Sequence, residues 1–171
     1  MSLLDLIVNT GIADAINHMP DGIKSDRAAI AETIENNVRS KIVKEHLNDP
    51  AYYDTMSALL DEIIAARKAR AIEYEEYLKR IAELAKRVEA GHAGDAPEEI
   101  DTPARRALYN NLNRDRELAL KIDEAVRHTR NDSWRGVQAR ERVIQRALYD
   151  VLHDEGEVER IFLIVKQQRE Y

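Results

Sequence analysis

Met56-Ser57-Ala58-Leu59-Leu60-Asp61-Glu62-Ile63-Ile64 places its apolar residues at i, i+3, i+4, i+7 and i+8. That spacing is the stripe of an amphipathic helix, which turns once in about 3.6 residues, and it excludes the strict alternation of a half-buried strand. Upstream, Asn48-Asp49-Pro50 breaks one helix and opens this one. The preceding helix starts at a cap, Ser25 or Asp26, and runs to about Leu47 with Ile30, Ile34, Val38 and Ile42 on its stripe. Before it, residues 3–17 read as a first helix that Gly11 weakens, closed by His18-Met19-Pro20-Asp21-Gly22.

Downstream, Ala65 to Arg70 is a charged seam where a kink or short loop can fall. A further helix follows, with Tyr74, Tyr77, Leu78, Ile81, Leu84 and Val88 on one side. Glu75–Lys79, Glu76–Arg80 and Glu83–Arg87 lace its solvated face at i,i+4 spacing. The segment 50–89 is therefore one long helix or a helix pair. Residues 91–101 have no apolar period and carry Gly91, Gly94 and Pro97, the composition of a linker. Thr102-Pro103 then supplies an N-cap with proline at the first helical position. Helices are expected near 103–112, 115–130, 138–153 and 157–169, with a loop at Asn131-Asp132-Ser133-Trp134-Arg135-Gly136. The apolar run Ile161 to Val165 marks the buried centre of this half.

The fold class expected is all-α: a multi-helix bundle of about seven to eight helices, with two helical halves, 1–90 and 102–171, joined by a loop near residues 90–101. Composition agrees. Charged residues make up 34% and aromatics 5%, and six glycines and four prolines are too few for a chain of many tight β-turns. There is no cysteine, which removes disulfides and thiolate zinc sites. No apolar run approaches the roughly 18 residues of a membrane span, so no membrane partner is expected. A net charge of −6 opposes binding to duplex nucleic acid through the chain's global field.

Most chemical motifs fail on inspection. Leu59-Leu60-Asp61-Glu62 and Asp123-Glu124-Ala125-Val126 mimic the magnesium-holding acidic strings of nucleotide hydrolases. Both keep helical period, and no phosphate-cradling Gly-x-x-x-x-Gly-Lys accompanies them. A restriction-type nuclease site needs Glu-x-Lys or Gln-x-Lys after an Asp, and neither tripeptide occurs. His92, Asp95, Glu98 and Glu99 read as a solvated acidic loop. No catalytic, cofactor-binding or metal residue is assigned.

Two sets of polar residues stand out. Asn36 and Asn37 lie inside a helix although asparagine is a mediocre helix former. Asn37 borders the apolar stripe, so it is expected to tie two helices together through a definite hydrogen bond. Trp134, Arg135, Arg130, Arg105 and Arg106 are the candidate partner contacts, since Trp and Arg are favoured at interface hot spots. For Trp134 itself the preferred reading is a loop anchor against its own domain, with Asp132 fixing the backbone.

Six strings in order carry a family resemblance: Ala31-Glu32-Thr33-Ile34-Glu35-Asn36-Asn37-Val38-Arg39; Tyr52-Tyr53 leading to Met56-Ser57-Ala58-Leu59-Leu60; Tyr74-Glu75-Glu76-Tyr77-Leu78; Thr102-Pro103-Ala104-Arg105-Arg106-Ala107-Leu108-Tyr109; Asp132-Ser133-Trp134-Arg135-Gly136; and Glu159-Arg160-Ile161-Phe162 through Tyr171. Together they resemble the C-terminal helical region of the R (restriction and motor) subunit of type I restriction–modification enzymes. The resemblance implies a non-catalytic appendage of an ATP-dependent type I site-specific deoxyribonuclease in a prokaryotic cytoplasm. Its role would be to dock the motor subunit onto the modification (methyltransferase) and specificity subunits. ATP and Mg would be bound only elsewhere in the longer parent chain. The alternatives are a module that guides DNA with the Arg-rich second half, and a free-standing helical regulator.

Overall fold

The computed structural model describes all 171 residues and holds ten α-helices, with no strand. Eight of the ten have eight residues or more, in keeping with the expected bundle. The extra two are short pieces near the start. Helix α1 (Leu3–Thr10) opens on a capping box in which Ser2 and Asp5 satisfy each other's backbone N–H groups. It stops at Gly11, whose φ of 95° no other residue adopts cheaply. The expected first helix is thus broken into α1 and α2 (Ile12–Asn17), followed by a single turn, α3 (Asp21–Lys24).

Asp26, not Ser25, caps α4 (Arg27–Glu45), accepting from the Ala28 N–H at 2.9 Å. A 3-10 turn, His46–Asn48, ends that run, and α5 (Pro50–Lys68) begins with Asp49 accepting from the Tyr52 N–H at 3.2 Å. The charged seam breaks the chain completely. Arg70 takes a positive φ of 55°, and α6 (Tyr74–Ala90) is a separate helix that ends at Gly91 with φ 78°. Residues 50–89 are therefore a helix pair and not one strut.

No helix crosses 91–102. Thr102 then caps α7 (Pro103–Asn111), and Asp115 caps α8 (Arg116–Thr129). Helix α9 (Gln138–Leu152) ends on His153 in the left-handed region, and Asp154 caps α10 (Glu155–Gln167).

The chain forms two compact units, residues 1–46 with 53–93, and residues 47–52 with 94–171. In the first, α1 packs on α2, α4 and α6, and α4 packs on α3 and α6. Ile34, Val38, Met56, Leu60 and Ile81 are fully buried there. Each such side chain contributes roughly 1.5–3 kcal/mol by leaving water. In the second, α7, α8, α9 and α10 pack in sequence and α10 returns to α7, closing a four-helix ring. Its core includes Leu108, Ile122, Trp134, Ile144, Leu148, Ile161 and Phe162. The run Ile161 to Val165 is not buried all round, because Leu163 faces solvent at 63% exposure.

Segment 47–52 belongs to the second unit through side-chain grips. Asn110 and Asn111 donate to the Asp49 carboxylate at 2.9 and 2.7 Å, and the Ala51 N–H donates to Asn111 Oδ1 at 3.1 Å. Gln168 Nε2 donates to the Asn48 carbonyl at 2.7 Å.

Candidate functional site

The asparagine pair is not the tie. Asn37 bonds its own helix, donating to the Thr33 carbonyl at 2.8 Å, and Asn36 is exposed. The tie is Glu35, one position earlier and only 5% exposed. Arg67 Nε reaches its Oε2 at 2.7 Å and Arg67 Nη2 its Oε1 at 2.9 Å. The Tyr77 hydroxyl donates to the same Oε2 at 2.7 Å. One carboxylate thus joins α4, α5 and α6. Burial first, then the Glu35 carboxylate, pushes the Tyr77 hydroxyl far above its ordinary range, so it stays a donor.

Asp123 plays the matching part in the second unit. It accepts from Arg105 Nε at 3.0 Å, from Arg127 Nε at 3.0 Å and from the Tyr171 hydroxyl. Burial alone would raise its pKa, but the bonds from Tyr171, Arg127 and Arg105 outweigh burial and hold it below the usual carboxylate value. Arg127 also pairs with Glu170 at 2.6 Å, and Glu170 accepts from the Ala104 N–H at 2.7 Å.

Around this network the segment 168–171 is clasped. Trp134 is 1% exposed, donates to the Tyr171 backbone oxygen at 3.3 Å and packs on Phe162 with ring centroids 5.9 Å apart. The Arg135 guanidinium lies 4.5 Å above the Trp134 ring and donates to the backbone oxygens of Lys166, Gln168 and Tyr171.

The expected partner contacts therefore sort differently. Trp134 is a core residue, because an indole in an apolar pocket with its N–H satisfied has no reason to face water. Arg135 and Arg105 are occupied by internal acceptors. Arg106 is half-buried beside Asp49, and its Nε is shielded from water without a hydrogen-bond partner. Of the five, only Arg130 is exposed with a side chain that no hydrogen bond or ion pair engages.

The acidic strings are structural as well. Asp61 pairs with Arg39, while Asp95 and Glu99 pair with Arg114 and Arg116 at 3.5 and 3.1 Å. No three His, Asp or Glu side chains converge at metal-binding distance.

What the first unit does present is a groove between α5 and α6, about 330 Å³ in volume. Leu59, Ile63 and Leu84 form its apolar floor, and Glu62, Glu76, Lys79, Arg80, Glu83 and Arg87 form a rim of both signs. Glu76 and Arg80 pair across one turn at 3.1 Å, and Glu83 pairs with Lys86 at 3.4 Å. Sequence reading placed Leu59 on the core stripe. It is only half-buried, and its free side lines the groove. Comparison with protein-family models, curated proteins and solved structures finds no match.

Proposed function

We propose that this chain is a non-catalytic helical docking domain, and that it joins the motor subunit of a type I restriction enzyme to its methyltransferase–specificity core. The choice of complex rests on the six ordered strings. The observation that carries the docking role is the open groove of α5 and α6, whose apolar floor and mixed-charge rim suit an amphipathic helix laid along it. The buried acids support the same reading. Glu35 and Asp123 are saturated by internal donors, so they stiffen the two units and are not free to act on a substrate.

Co-purification of the chain with separately expressed modification and specificity subunits tests the proposal. Capture is expected by at least one subunit, and Leu59→Glu, which sets a charge on the groove floor, should abolish it. Far-UV circular dichroism identifies any variant that has merely unfolded. Failure of both subunits to bind the unaltered chain refutes the restriction assignment. Capture that survives Leu59→Glu refutes the groove as the docking face.

A further inference from the structure

The arginines of the second unit fall into two groups. Arg105, Arg127, Arg135 and Arg140 donate to internal carboxylates or backbone oxygens. The exposed side chains of Arg142 and Arg146, on α9, make no hydrogen bond and no ion pair, as is also true of Arg130 and Arg169 elsewhere in the unit. The two on α9 stand one turn apart, and Tyr149 and His153 continue their line at i+7 and i+11 from Arg142. Ile144 and Leu148 point α9's opposite side into the core, so this line runs along its outward face. Tyr149 is 46% exposed and meets the His153 ring edge-on, with centroids 6.3 Å apart. Val143, 45% exposed, lies beside the line, and Asp150 is the acid at its edge.

We propose that this face of α9 binds single-stranded nucleic acid. Two unpaired guanidiniums at one-turn spacing offer forked donors to phosphate oxygens. An exposed tyrosine in line with them offers a stacking surface to an unpaired base, which a duplex does not present. An acidic protein surface would satisfy the arginines but not use the ring in this way. With two phosphate contacts and a chain of net charge −6, the interaction is weak and belongs to low salt. It stands apart from the docking role, since its test needs no partner subunit and involves no groove residue.

The test is fluorescence anisotropy of the purified chain with a labelled oligo(dT) on the order of 20 nucleotides, longer than the roughly 4–16 that a compact site covers. Binding should weaken about sevenfold between about 50 and 200 mM salt, as two released counterions on a single strand require. Tyr149→Ala should weaken it about tenfold, and R142E/R146E should abolish it. All three side chains are exposed, so circular dichroism should be unchanged. A duplex of the same length should bind more weakly than the single strand. Three results overturn the proposal: no anisotropy change at low salt, binding indifferent to both variants, or competition by polyglutamate as strong as by unlabelled oligo(dT).

Discussion

Arg67 grips Glu35 with two nitrogens, at 2.7 and 2.9 Å, across 32 residues of sequence. The fork fixes the register of α5 against α4, and Tyr77 adds α6 to the same carboxylate. Removing one partner leaves the other charge partly buried and unmatched, which costs far more than the pair itself contributes. Glu35→Ala should therefore destabilise the first unit by about 3–5 kcal/mol. The double substitution E35L/R67M should recover most of that loss, because neither charge is then stranded. Urea unfolding followed by circular dichroism compares the three proteins. A double variant no more stable than Glu35→Ala would contradict this account.

Asp123 predicts an acid limb in the stability of the second unit. Its pKa is lower in the fold than the roughly 3.9 of an unfolded Asp. The stabilisation is present above the unfolded value and is lost as pH falls through the folded one. Trp134, the chain's one tryptophan and a core residue of this unit, reports the transition by fluorescence. Asp123→Asn should cost about 2–3 kcal/mol at pH 7 and remove this limb below about pH 4. An unaltered acid limb in the variant would assign it to another carboxylate.

The Arg135 fork should matter more than its charge. Its three acceptors are backbone oxygens of Lys166, Gln168 and Tyr171, so a single side chain holds the end of α10 and the segment after it. Arg135→Ala should cost about 2–3 kcal/mol, and Arg135→Lys should restore less than half, since an ammonium cannot reproduce a planar fork. Hydrogen exchange at residues 168–171 should accelerate in both variants. Protection unchanged from the unaltered protein would show that Trp134 and Glu170 hold the segment without it.

The fold was legible wherever local rules act alone. The stripes of α4, α5 and α6, the Thr102-Pro103 start of α7 and the break at Asn48-Asp49-Pro50 all follow from spacing and side-chain chemistry, while the choice between Ser25 and Asp26 as the cap of α4 does not. What local rules missed was tertiary. Glu35 shares its helix with the conspicuous Asn36 and Asn37, but a charged residue next to an apolar stripe reads as solvated until Arg67 and Tyr77 are known to face it. For Trp134, set among Arg, Asn, Asp and Gly, the sequence suggests an anchored loop but not what it is anchored to, and the return of α10 supplies the Phe162 ring and the Tyr171 oxygen that bury it. The groove at Leu59 was hidden for a similar reason. Helical periodicity gives the side of a helix that faces inward, not how fully its neighbours cover that side.

Asp49 predicts the opposite pH dependence from Asp123. Burial, offset only in part by Asn110, the Tyr52 N–H, Asn111 and the charge of Arg106, raises its pKa to about 6. The folded state therefore keeps the proton to about pH 6, whereas the unfolded chain releases it near 3.9. Stability of the second unit should fall as pH rises through this interval, by at most about 3 kcal/mol at one pH unit per 1.36 kcal/mol. Asp49→Asn cannot ionise, and its amide oxygen can still accept from the Tyr52 N–H or from Asn111. The variant should lose this downward slope, so relative to the unaltered protein it gains stability between about pH 4.5 and pH 7.5. Urea midpoints read from Trp134 fluorescence at those two pH values measure the gain. Parallel pH profiles for the two proteins would mean that the Asp49 carboxylate is already ionised throughout, and that the Asn110 and Asn111 amides solvate it as well as water does.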